Sequence, residues 1–193
     1  MKRTALKKAG GTARPKKQSA VAERPGNWHL ARTETERRLS DFEFGLERLA
    51  QAYYRWKAAC LAAICDVPLT GDDVAVLNVV RMGDEPKRLS EIGQLLNRVD
   101  VPNLQYATRK LVRSGLIETE GGSSRKETRY RATATGYSVT EAYAALRAAT
   151  LPPMLEALDG WAAKSETTSS QLDLISSLYA QAAQVAITRR HQP

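Results

Sequence analysis

The chain has 193 residues, 42% hydrophobic and 26% charged, an ordinary soluble composition with length for one core plus extensions. Its most apolar run, residues 58–65, is far below the ~18 residues of a membrane span, and no apolar run follows the basic N-terminus, so neither an anchor nor a secretory signal is expected. The net charge of +8 is concentrated: residues 1–38 hold 11 Lys/Arg and 3 Asp/Glu, while the other 155 residues hold 18 of each. Within that neutral remainder, residues 88–131 carry 9 Lys/Arg against 5 Asp/Glu, a localised excess that suits a polyanion site.

Residues 1–38 are rich in Lys, Arg, Ala, Thr, Pro and Gly and poor in large apolar groups. Such a segment cannot offset its chain entropy by burial and reads as a disordered basic arm. Its Arg14-Pro15-Lys16-Lys17 stretch suits a minor-groove arm or a solubilising extension equally.

Residues 39–69 predict a long helix. Phe42, Leu46, Leu49, Tyr53, Trp56, Cys60 and Ala63 recur at steps of four and three as one apolar stripe. Ser40 and Glu43 have capping-box spacing, and Pro68 ends the segment. Cys60 and Cys65, five apart on this helix, match neither a disulfide framework nor a CxxC metal site, and suit a reducing cytoplasm. Within an apolar stripe they read as packing residues.

Residues 70–132 predict three helices and a hairpin. Thr70 and Asp73 open a helix made apolar on most sides by Val74, Val76, Leu77, Val79 and Val80, which should be central. Residues 83–86 break the chain. Ser90 is placed as the cap of the next helix, with Ile92, Leu95 and Leu96 as its buried face and Gly93 small enough for a close crossing. A short turn at 97–99 leads to a helix capped by Asp100, with Pro102 in its first turn and Gly115 at its exit. Residues 116–120 and 128–132 predict two strands around a polar, glycine-rich tip.

Helix, helix, tight turn, helix and hairpin make a helix-turn-helix followed by a wing. At 100° per residue, Leu104, Ala107, Thr108 and Leu111 face one way, and Pro102, Tyr106, Arg109, Lys110 and Arg113 the other, flanked by Asn103 and Gln105. The outward set has what base reading needs: Asn or Gln pairs twice with adenine and Arg twice with guanine. Asn103, Gln105, Tyr106 and Arg109 are therefore assigned to base edges, and Lys110 and Arg113 to phosphates. Ser90, Pro102 and the wing residues Arg125, Lys126 and Arg129 complete the candidate double-stranded DNA surface; Arg131 shares a strand face with Arg129, opposite Tyr130. The bland alternatives are a solvated helix face and a solubilising hairpin.

Residues 133–193 predict terminal helices. Thr133 caps the first, which should reach Pro152-Pro153; a short piece follows through Leu158 and Trp161; 164–170 reads as a polar loop. A last helix covers residues 171–189, striped by Leu172, Ile175, Tyr179, Ala182 and Ala186. The apolar stripes of the first and last helices exceed what one winged domain covers and mark an interface. The fold class is thus mainly α with a small β-hairpin wing, a winged helix-turn-helix between long terminal dimerisation helices.

Three motifs carry a family resemblance: Leu89-Ser90-Glu91-Ile92-Gly93-Gln94-Leu95-Leu96, then Leu111-Val112-Arg113-Ser114-Gly115-Leu116-Ile117, then Thr133-Ala134-Thr135-Gly136. Residues 40–190 resemble the MarR family of transcription regulators, with two departures: the wing tip lacks the usual Asp-x-Arg, and Ala132 stands where leucine is usual before Thr133. The resemblance implies a cytoplasmic homodimer, acting as a repressor on a pseudo-palindromic operator and released by a small phenolic or lipophilic effector, with Tyr53, Tyr54, Trp56 and Tyr143 as candidate pocket residues. Packing at the core and interface is the alternative reading of those four, and the resemblance also raises oxidant sensing by Cys60 or Cys65 as the alternative to inert packing. The sequence offers no Ser/His/Asp set, phosphate-binding glycine loop or metal cluster, so no catalytic residue, metal or cofactor is expected. The rival function is a winged-helix protein-interaction module, or a nonspecific nucleic-acid-binding module that relies on its basic tail.

Overall fold

The computed structural model describes residues 29–121 and 127–189. Most of the basic arm, and Arg125 and Lys126 of the wing tip, lie outside the described residues. The chain divides into two units, 1–50 and 51–193. The first contributes the opening turns of α1 (Glu34–Ala62), and the second holds everything that follows.

Helix α1 begins earlier than the apolar stripe suggests, so 34–38 belong to it and not to the arm. Thr33 and Glu36 supply the start: the Glu36 N–H donates to the Thr33 hydroxyl at 3.2 Å, and the Thr33 N–H donates to the Glu36 carboxylate at 2.8 Å. Arg37 and Arg38 then pair with Glu34, and Arg37 with Asp41, at helical spacing. Ser40, expected as the cap, lies inside the helix.

The second unit is built around α2 (Gly71–Arg81), whose Val74, Val76, Leu77, Val79 and Val80 are all buried. Its cap is the expected one: Thr70 accepts from the Asp73 N–H at 3.2 Å, and the Asp73 carboxylate accepts from the Thr70 N–H at 2.9 Å. Packed with it are Cys60 and Leu61 of α1, Ile92 of α3 (Leu89–Leu95), one face of α4 (Val101–Arg113), and Val139 and Tyr143 of α5 (Ala134–Glu156). Strand β1 (Lys87–Arg88), which periodicity did not reveal, pairs with β3 (Arg129–Ala132), and β3 pairs with β2 (Ile117–Glu120). The wing is therefore a three-stranded antiparallel sheet.

Helix α3 starts one residue before its expected cap. Arg88 occupies the cap position, its N–H donating to the Glu91 carboxylate at 2.7 Å, and Ser90 sits exposed in the first turn. Leu95, expected in the core, is exposed, whereas Ile92 is fully buried. Gly93 is needed for close approach: a Cβ there would lie 3.1 Å from the Arg98 carbonyl and 3.4 Å from Leu104.

The exit of α4 is a Schellman motif. Gly115 adopts φ +70°, its N–H donates to the Val112 carbonyl, and the Leu116 N–H reaches back to Leu111. Thr133 caps α5 by accepting from the Gly136 N–H at 3.0 Å, while its hydroxyl donates to the Gly115 carbonyl at 2.6 Å. One side chain thereby ties the start of α5 to the end of α4.

Two expectations for the C-terminal third are corrected. Helix α5 continues through Pro152 and Pro153 to Glu156, forgoing two backbone bonds. The expected loop at 164–170 is part of one helix, α6 (Trp161–Arg189). Its hydroxyls are satisfied within the helix, Thr168 donating to the Lys164 carbonyl at 2.7 Å and Ser169 to Ser165 at 3.0 Å. None of its described residues is buried. Among the described residues, no helix is long and apolar enough to cross a membrane.

Candidate nucleic-acid interface

Helix α4 divides as its sequence dictates. Leu104, Ala107, Thr108 and Leu111 are buried, and the Thr108 hydroxyl, fully enclosed, donates to the Leu104 carbonyl at 3.1 Å. Opposite them, Pro102, Asn103, Tyr106, Arg109 and Arg113 are exposed, and Gln105 is half-buried between the two faces. Tyr106 is 58% exposed, more than packing alone would leave a tyrosine. The Arg109 guanidinium folds back along its own helix, donating to the Gln105 carbonyl at 3.2 Å.

A groove of about 610 Å³ lies between α3 and the start of α4, lined by Arg88, Ser90, Gln94, Arg98 and Gln105 among others. A smaller hollow of about 130 Å³ opens between α4 and the wing, bounded by Gln105, Arg109 and Tyr130. Arg88 and Gln94 were not anticipated as members of this surface. The basic pair Lys87-Arg88 was visible, but only the unpredicted strand β1 shows that it abuts the helix-turn-helix.

The structure gives Lys110 a different role from the one expected. Its ammonium lies 2.7 Å from the Asp73 carboxylate, with side chains 22% and 4% exposed, respectively. Asp73 already serves the α2 cap, so in the free chain Lys110 is a strut between α4 and α2.

On the wing, Arg129 and Arg131 share a face, as alternation requires, in register with Glu120 and Glu118. Arg131 is tied to Glu118 at 2.7 Å and lies 3.8 Å from Glu120. Arg129 donates to the Pro86 carbonyl at 3.3 Å. Tyr130, on the other face, packs against the core.

The four aromatic residues singled out as an effector pocket do come together. Tyr53 lies 6.0 Å from Tyr54 and 6.2 Å from Trp56, and Trp56 lies 6.0 Å from Tyr143, centroid to centroid. Tyr143 is buried, and burial pushes its phenol up to about 12. Lys57 is 3% exposed, with its ammonium 4.4 Å and 4.1 Å from the Tyr53 and Tyr54 rings. Desolvation lowers its affinity for a proton. Cys60 is buried and its thiol is pushed up by that burial, which favours packing over oxidant sensing; Cys65 is half-buried.

A family model described as a winged helix DNA-binding domain matches residues 69–136. A search of curated proteins finds no match. Among solved structures, reduced AbfR bound to DNA aligns at 18% identity and a TM-score of 0.60, covering 75% of this chain and 99% of that one. A MarR family transcription regulator aligns at 17% and 0.60, covering 78% and 95%. Staphylococcus aureus MarR in complex with salicylate and kanamycin aligns at 13% and 0.61, covering 76% and 95%. The chain therefore carries a winged helix domain at residues 69–136, set within a fold it shares with MarR-family regulators.

Proposed function

We propose that this chain is a MarR-type transcription regulator, a sequence-specific double-stranded DNA-binding repressor that acts as a homodimer on a pseudo-palindromic operator. The observation that carries the reading is the split of α4: one face locked into the core, the other presenting Asn103, Tyr106, Arg109 and Arg113 beside the groove. A rigid helix with amide, phenol and guanidinium groups on its outer face suits major-groove reading. Ser90 and Arg88 flank the same groove, and Arg129 extends the surface onto the wing.

The dimer rests on exposed apolar side chains. Leu46 and Leu49 of α1, and Leu172, Leu174, Leu178 and Val185 of α6, are all exposed in the single chain. Two-fold pairing would set half-sites about one helical turn apart. Release by a small phenolic or lipophilic effector is supported by the adjoining rings of Tyr53, Tyr54, Trp56 and Tyr143, and by the salicylate held in the S. aureus MarR structure.

The test is selection from a genomic duplex library by the full chain at two salt concentrations. Enrichment of one palindromic site, lost in Arg109→Glu, is the expected result. Salt-sensitive binding without a preferred site would replace the regulator with a nonspecific binder.

A further inference from the structure

Arg98 lies in the turn between α3 and α4, where a basic side chain would ordinarily be counted as a phosphate contact. Its geometry is otherwise. The side chain is only 17% exposed. Its guanidinium donates to both oxygens of the Asp100 carboxylate, at 2.9 Å and 2.6 Å, and lies 3.4 Å from Asp72. Asp100, expected to cap α4, makes no side-chain capping bond; its carbonyl accepts the N–H groups of Asn103 and Leu104, and its carboxylate is given to Arg98. That carboxyl is held well below the usual carboxylate range, first by Arg98 and then by the side chain of Asn103.

The turn is fixed from its other side as well. Asn97 takes φ +51°, and the Arg98 N–H donates to the Gly93 carbonyl at 2.8 Å. Farther along α4, Lys110 meets Asp73 at 2.7 Å. Consecutive aspartates at the start of α2 thus hold α4 at two points: Asp72 through Arg98 before its first turn, and Asp73 through Lys110 in its second half.

We propose that Arg98 is a positioning residue for sequence reading, its guanidinium fixing the N-terminal end of α4 against α2 and so setting where Asn103 and Gln105 enter the duplex. Residues early in a recognition helix enter deepest, so loosening this end changes which base is preferred more than how strongly phosphates are held. The proposal rests on the DNA-binding reading above.

The experiment compares the wild-type chain with Arg98→Ala, Arg98→Lys and Asp100→Asn on the wild-type-selected duplex, its single-base variants and an unrelated duplex, with a thermal melt of each protein. Arg98→Ala is expected to lose about tenfold or more in the ratio of specific to nonspecific affinity. The loss should fall at the base pairs that Asn103→Ala also relaxes, and the salt slope should stay unchanged. Asp100→Asn should show the same pattern more weakly, as should Arg98→Lys, because lysine cannot grip a carboxylate at two points. Were Arg98→Ala to melt below the assay temperature, the other two variants decide.

Unaltered base preferences in the folded variants would overturn the proposal. So would equal weakening on every duplex with a salt slope reduced by about one, which marks a phosphate contact. A wild-type chain that selects no site would instead remove the DNA-binding reading itself.

Discussion

Helices α4 and α6 are opposite solutions to the same problem. Helix α4 has 13 residues, four of them buried, and a glycine exit that closes its C-terminus. Helix α6 has 29 residues and buries none, yet leaves Leu174 62% and Leu178 53% exposed. The first is held by its own domain and can present a rigid outer face. The second leaves that apolar surface exposed in the single chain, which supports the proposed dimer. The difference separates a helix held by its own domain, and proposed to read DNA, from one proposed to complete itself by association.

The largest effect should come from filling the close approach between α5 and the end of α4. A Cβ at Gly136 would sit 1.9 Å from the Leu116 carbonyl, so Gly136→Ala should destabilise by several kcal/mol or prevent folding, read by denaturant unfolding. Leu111→Ala, at a fully enclosed site, should cost about 2–5 kcal/mol. On α6, the pair Leu174→Glu and Leu178→Glu should leave the melting of the winged domain nearly unchanged while dissociating the dimer in sedimentation. Dimers that survive both changes would break the comparison.

Lys110 gives a sharper, smaller test. Lys110→Gln leaves Asp73 without its ammonium partner and should cost about 1–3 kcal/mol of stability, the range for a buried group losing its partner. It should not change the salt slope of DNA binding. Arg113→Gln should do the reverse, lowering the slope by about one with little change in stability. The smallest effect concerns Tyr143. Its folded phenol is pushed up to about 12 from an ordinary value near ~10, so the unfolded chain loses that proton first. Stability from this group is fully present below pH ~10 and falls as pH rises towards ~12. Tyr143→Phe should flatten that part of the pH–stability curve.

Much of the winged helix domain was legible in the sequence, because local chemistry and tertiary packing agree there. The Thr70 and Thr133 caps, the Gly115 exit and the inward set Leu104, Ala107, Thr108 and Leu111 all follow from rules spanning one or two turns. The misses share a cause: the deciding interaction was not the strongest local signal. Thr33 and Glu36 had capping-box spacing, but the apolar stripe that drew attention starts at Phe42. Strand β1 is two residues long and exists only because β3 runs beside it. Ser165, Thr168 and Ser169 read as loop formers, yet their hydroxyls return to carbonyls of their own helix. Lys110 was assigned to phosphates because its partner Asp73 lies on another helix.

Helix α4 is proposed to read sequence through its outer face. The most direct measurement is the affinity of Asn103→Ala and wild type for the selected site with every base pair substituted in turn. Asn103→Ala should lose discrimination at the same position in each half-site, by about 1–3 kcal/mol, and match wild type elsewhere. An equal loss across all duplexes, or none at all, would contradict it.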